Sequence, residues 1–135
     1  MRMTAAVRVG VAIFWVLGGY LPASAQQGPP WTLPAPDYGG ATPLNAGEWY
    51  SFNDYPMAAV ERREQGYVVI RYTITTAGRA TDCRVIRSSG FARLDAVPCR
   101  IFERRALFNP ALDQHGSPRA TTATSAMQFW LPDGN

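Results

Sequence analysis

The sequence predicts an α+β domain: a three-stranded antiparallel sheet covered on one face by two helices. Three observations carry this reading. Residues 67–88 form two alternating runs about Ala77-Gly78, the pattern of a hairpin. Residues 96–106 have the spacing of an amphipathic helix, and residues 120–131 form a last apolar run with no charge and no proline. A helix that returns the chain makes its flanking strands parallel, whereas the hairpin makes its two strands antiparallel. With the hairpin's first strand between the other two, every neighbouring pair is antiparallel. The order is then second-first-third, in a two-layer sandwich.

The N-terminus reads as a secretory signal over residues 1–25. Arg2 and Arg8 precede an apolar run from Val9 to Leu21, and Ala23-Ser24-Ala25 offers a small-x-small cleavage site before Gln26. The run is short for a membrane span, which needs about 20 residues. The alternative is an uncleaved inner-membrane anchor facing the periplasm, and membrane association is expected only in that case. Without Arg2 and Arg8 the 13 basic residues, all arginine, fall to 11 against 10 acidic ones. Such a balance leaves no nucleic-acid footprint. Residues 26–52 carry five prolines, Pro29, Pro30, Pro34, Pro36 and Pro43, together with Gly28, Gly39, Gly40 and Gly47. They read as a linker, since such composition does not build a core. Trp49, Tyr50 and Phe52 at its end are expected to dock on the domain that follows, residues 53–132.

The first helix is expected from Pro56 to Gln65, capped by Asn53 or Asp54 and stopped by Gly66. Met57, Ala59 and Val60 would face the sheet, and Glu61 to Glu64 would face water. In the first strand, Val68, Ile70, Tyr72 and Ile74 form the inward face. The return strand spans residues 80–88, with Cys83 and Val85 on one face and Arg84 and Ile86 on the other. The second helix is expected from Ala96 to Ala106, with Asp95 as its cap and Pro98 in its first turn. Its buried stripe would be Leu94, Val97, Ile101 and Phe102. Phe108 would plug the core, Pro110 would block continuation, and residues 113–118 would form a loop. The last strand would turn Met127, Phe129 and Leu131 inward.

Cys83 and Cys99 are the only cysteines. An even count in an exported chain points to a disulfide. A structural zinc site, the alternative, takes four ligands, more than two cysteines and one histidine supply. The bridge would pin the second strand to the second helix and close a loop of roughly 15 residues, worth about 3 kcal/mol in the chain-entropy model.

Taken in order, Tyr55-Pro56, a short helix, Gly66, two alternating strands, Ser88-Ser89-Gly90, Leu94-Asp95, Phe108-Asn109-Pro110-Ala111 and a final strand to Leu131 resemble the C-terminal domain of TonB, the energy transducer of Gram-negative envelopes. That resemblance implies the sandwich derived above and no catalysis. It also implies docking of a short receptor segment on the last strand, with Tyr55-Pro56 matching part of a Gln-Pro-x-Tyr-Pro segment near the receptor site. The residues point to the same edge. The second strand is guarded by Arg84 and Arg87, while the last strand carries no gatekeeper. An extended partner is expected to pair with the backbone around Thr122, Thr124, Ala126 and Gln128, with Tyr55, Pro56 and Trp130 contributing. The expected partner is an extended peptide or protein edge, such as that of a TonB-dependent receptor, or a second copy of the chain in a homodimer. No cofactor and no metal are expected.

Two other readings remain. Ser88, Ser89, Asp113 and His115 supply a hydrolase inventory, but no Gly-x-Ser-x-Gly elbow is present. A structural envelope role, binding peptidoglycan or an outer-membrane assembly, would use Tyr67, Trp49 and Trp130.

Overall fold

The structure is a computed structural model that describes residues 28–132; the expected signal segment and its cleavage site lie outside the described residues. Its elements follow in chain order. A short strand β1 (Thr42–Pro43) and two 3-10 turns (Ala46–Glu48 and Phe52–Asp54) precede helix α1 (Met57–Glu61). The hairpin of β2 (Gly66–Ile74) and β3 (Ala80–Arg87) comes next, followed by α2 (Ala92–Asp95) and α3 (Val97–Arg105). Short strands β4 (Phe108–Asn109), β5 (Ala111–Leu112) and β6 (Pro118–Arg119) lead to β7 (Thr121–Phe129).

The main sheet has the order β3-β2-β7, antiparallel throughout, as the hairpin and crossover argument requires. β2 pairs with β7 without a break from Gly66↔Phe129 to Ile74↔Thr121. Pairing with β3 is interrupted twice, and Asp82 has a left-handed φ of 52°. These irregularities are bulges, which twist and bend an edge. The hairpin turn needs Gly78. Its φ is +77°, and a Cβ there would lie 2.0 Å from the Phe108 carbonyl oxygen.

The core lies between the sheet and the helices. Val68, Ile70, Tyr72 and Ile74 of β2 are buried with Ala123, Met127 and Phe129 of β7 and with Leu94, Val97, Ile101 and Phe102 of the helical layer. Each large side chain contributes about 1.5–3 kcal/mol by leaving water. Phe108 fills the expected place, 6.1 Å from Tyr72 between ring centroids. Cys83 and Cys99 form the disulfide, with their Cα atoms 5.4 Å apart, and it joins β3 to α3.

Several expectations are corrected. α1 ends at Glu61 instead of Gln65, because Arg63 adopts φ 52° and the Glu64 amide bonds back to the Ala59 carbonyl. Gly66 therefore opens β2. Asn53 and Asp54 belong to the preceding 3-10 turn, and Pro56 takes the N-cap position. Met57 is 68% exposed, since the shortened helix turns only Ala59 and Val60 inward. Glu64 is drawn inward by an ion pair with Arg93 at 2.7 Å. Asp95 ends α2 without capping α3; it accepts hydrogen bonds from the Ser89 amide (2.8 Å) and hydroxyl (2.7 Å) and from the Ser88 hydroxyl.

The Pro/Gly-rich segment is built into the fold from Trp31 onward. Trp49 is 6% exposed, 4.9 Å from Phe102 and 5.3 Å from Phe108 between ring centroids. Tyr50 meets the edge of Phe129, whereas Phe52 stays exposed. Asn45 ties this segment to the end of α3: its amide donates to the Arg105 carbonyl (2.9 Å), and its oxygen accepts from the Leu107 amide (3.0 Å) and the Trp49 indole. Composition misleads here because a few well-placed residues, rather than a periodic run, supply the packing.

Candidate functional site

An antiparallel edge strand offers main-chain groups outward at every second residue. In β7 the phase is set by Thr124. Its amide donates to the Asp37 carbonyl (2.8 Å), and its carbonyl accepts from the Asp37 amide (3.0 Å). Thr122, Ala126 and Gln128 share that phase. All four also turn their side chains to the open face of the sheet, whereas Ala123, Ser125 and Met127 turn inward and are buried.

This edge is divided. The sequence suggested a strand open along its length, but its first half is covered by residues 37–39. Besides the Asp37 bridge, the Gly39 carbonyl accepts from the Thr121 hydroxyl (2.9 Å) and from Arg119 (3.3 Å). Tyr38 packs against Phe108 and Trp49, with centroids 5.7 and 6.4 Å apart. An extended proline-containing segment can do this because a single non-proline residue suffices for a pair of hydrogen bonds, and Asp37 is that residue.

The second half of the edge is different. Among the described residues, neither Ala126 nor Gln128 makes a main-chain hydrogen bond outside the sheet. Beside them lies an apolar cleft floored by Trp49 and Phe102. One part of it, about 430 Å³, runs between Leu33–Pro36 and Ser125-Ala126. The other, about 260 Å³, runs between Leu33, Tyr50 and Gln128. The ionisable groups near this cleft are shielded tyrosines. Burial pushes Tyr50 up to about 12, with the Tyr55 and Asp54 charges adding to the shift, and burial also raises Tyr38. Burial likewise takes Tyr72 to about 12 while its hydroxyl shares a 2.9 Å hydrogen bond with Ser125. All three stay neutral near pH 7; Tyr38 and Tyr50 line the cleft, and Tyr72 is buried in the core.

The other site residues inferred from the sequence are not gathered at this edge. Tyr55 is 5% exposed. Its ring meets Phe129 at 5.3 Å, and its hydroxyl donates to the Glu64 carbonyl. Tyr55 and Pro56 instead line a separate groove of about 420 Å³ between α1 and α3, with Phe52, Met57 and three arginines, Arg100, Arg104 and Arg105. There Arg105 forms a two-pronged pair with Asp54, at 2.8 and 2.9 Å. Trp130 is half-buried just beyond β7. Asp37, Tyr38, Gly39 and Leu33 were missed by sequence reasoning; Gly39-Gly40 after Asp37 is the one local signal of a turn there.

The hydrolase inventory is dispersed. Ser88 and Ser89 are engaged by Asp95, while Asp113 accepts from the His115 and Ser117 amides in the β5–β6 turn. Trp49, considered for wall binding, is buried, and Tyr67 is half-buried beneath Trp31 and Arg87. Among the described residues no cluster of three metal-ligating side chains occurs, and no helix is long and apolar enough to cross a membrane.

Comparison with known proteins agrees with this architecture. No match was found among curated proteins. Among solved structures, the solution NMR structure of the Pseudomonas aeruginosa TonB CTD is similar, with a TM-score of 0.55 and 26% identity, covering 71% of this chain and 91% of that one. The family described as Gram-negative bacterial TonB protein C-terminal matches residues 53–131, from the turn before α1 to just beyond β7. With the sheet order, the helical layer and this match in agreement, the chain belongs to the TonB C-terminal family.

Proposed function

We propose that this protein is a non-catalytic binding module of the Gram-negative envelope, working on the periplasmic side, that pairs its β7 edge with an extended segment of a partner. The favoured partner class is a TonB-dependent outer-membrane receptor, and the process served is transport across the envelope. The single observation that carries the reading is the uncharged, proline-free β7 edge, whose Ala126 and Gln128 main-chain groups make no hydrogen bond outside the sheet among the described residues and lie beside an apolar cleft. In this mode of recognition, main-chain hydrogen bonds supply affinity, and pockets for alternate side chains supply selectivity. On the opposite edge, the bulges in β3 and the exposed Arg84 and Arg87 discourage the same pairing.

The test is a binding titration with synthetic peptides from the periplasm-facing N-termini of such receptors. Gln128→Pro removes one outward amide and should weaken binding at least about tenfold while circular dichroism stays unchanged. Arg84→Ala should bind like the parent. A folded Gln128→Pro protein that binds normally, alongside an Arg84→Ala protein that does not, would transfer the site to the other edge.

A further inference from the structure

We propose that residues 31–40 are a built-in occupant of the docking edge, a strap that the partner strand must displace. This rests on the reading of β7 as the docking edge. A strand that pairs with Thr122 and Thr124 needs the same outward groups that Asp37 now holds, so strap and partner exclude one another over that half.

The strap is built to hold at one end and yield at the other. It runs antiparallel to β7 with Asp37 opposite Thr124, so a continued ladder would set Ala35 opposite Ala126 and Leu33 opposite Gln128. That ladder does not form. Among the described residues, the Leu33 and Ala35 amides make no main-chain hydrogen bond, and the cleft opens between them and β7. Pro34 and Pro36 lack amide hydrogens, so the strap's own outer edge cannot recruit a further strand. Trp31 packs near Tyr67, yet its buried indole N–H has no hydrogen-bond partner among the described residues. Undocking returns that group to water, which lowers the cost of displacement.

The geometry also defines the entry point. A partner strand starting at Gln128 and Ala126 first meets main-chain groups that no described residue outside the sheet holds. Its alternate side chain then points into the cleft above Trp49 and Phe102. An extended segment with one large apolar side chain between two small or polar ones fits that space. Pairing that advances toward Thr124 then strips Asp37 from the edge. The strap thus shields an unguarded edge from indiscriminate pairing in the free protein.

Gly39 provides the test. Its φ is +60°, and a Cβ there would lie 2.3 Å from the Thr121 hydroxyl and 2.5 Å from the Thr122 carbonyl oxygen. Gly39→Ala in the full chain therefore unseats the strap without altering β7. The probe is a fluorescein-labelled peptide copying residues 31–41, followed by anisotropy, with hydrogen exchange read at the Thr124 amide. Closing an edge lowers apparent affinity by the fraction of molecules that remain open, so the variant should bind the peptide about tenfold more tightly or better. Its Thr124 amide should exchange faster without peptide and regain protection with it. Asp37→Pro, which removes the strap's donor, should behave alike and covers the case in which Gly39→Ala fails to fold. Equal peptide binding and equal Thr124 protection in parent and folded variants would overturn the strap. Receptor peptides that bind parent and Gly39→Ala equally would also overturn it while leaving the β7 function standing. Strap-peptide binding by the variants with no receptor peptide bound by any form would support the strap and refute the partner class.

Discussion

At the scale of residues, the fold depends on a few polar contacts that hold separate segments together. One that titrates is the pair of Asp54 with Arg105. Hydrogen bonding from the Arg105 guanidinium, helped by Ser51, lowers the Asp54 carboxyl from its ordinary 3.8 to about 2. A carboxyl that is more acidic in the folded state stabilises that state fully above its unfolded pKa and loses the contribution as pH falls through the folded one. Asp95 acts in the same direction. Burial opposes its ionisation, but hydrogen bonds from Ser88 and Ser89 outweigh burial and leave its pKa lowered. Stability should therefore decline from about pH 4 toward pH 2. Asp54→Asn should cost about 1 kcal/mol near pH 7, because the pair is partly exposed, and should flatten that acid decline. Urea midpoints at pH 7, 4 and 2.5 measure both effects; an acid decline of unchanged steepness in Asp54→Asn would show that the pair does not drive it.

At the scale of elements, the sheet was legible in the sequence, and the helical layer less so. β2 is read correctly because Val68, Ile70, Tyr72 and Ile74 alternate with half-exposed residues, a period that only a strand buried on one face satisfies. The limits of α1 were misread because its end is set by tertiary contacts. Arg63 turns left-handed and Glu64 is pulled toward Arg93, 29 residues away, so no local pattern announces either. The strap on β7 left no period at all, since one hydrogen-bonded residue, Asp37, carries it. The disulfide is the covalent tie between the two layers, joining the irregular β3 edge to α3. Replacing both cysteines, Cys83→Ser with Cys99→Ser, should remove about 3 kcal/mol and lower Tm on the order of 15 °C. β3 should then exchange its amides first, being the strand with the interrupted ladder. A scanning-calorimetry Tm unchanged by the double replacement would mean that the reduced unfolded chain is already restrained around that loop.

At the scale of the whole molecule, the matched family segment and the cooperative fold have different extents. The match begins at Asn53, but the packing begins at Trp31. Between them lie Trp49, wedged against Phe102 and Phe108, Asn45, which satisfies the end of α3, and Asp37, which occupies the β7 edge. A chain starting at Asn53 would expose the apolar surface under Trp49, leave the Arg105 carbonyl without the Asn45 amide and free the outward groups of Thr124. Losing the Trp49 side chain alone is worth about 3–5 kcal/mol on the scale of buried aromatic truncations. Small domains carry only about 5–15 kcal/mol in total. Residues 53–135 should therefore be marginally folded, whereas residues 31–135 should unfold cooperatively at a much higher urea concentration. Trp49→Ala in the longer chain separates core packing from edge coverage: it should reproduce most of the loss while leaving the Asp37 bridge in place. Coincident unfolding midpoints for the two lengths would instead place all of the stability within residues 53–135 and reduce the preceding segment to a cover for the edge.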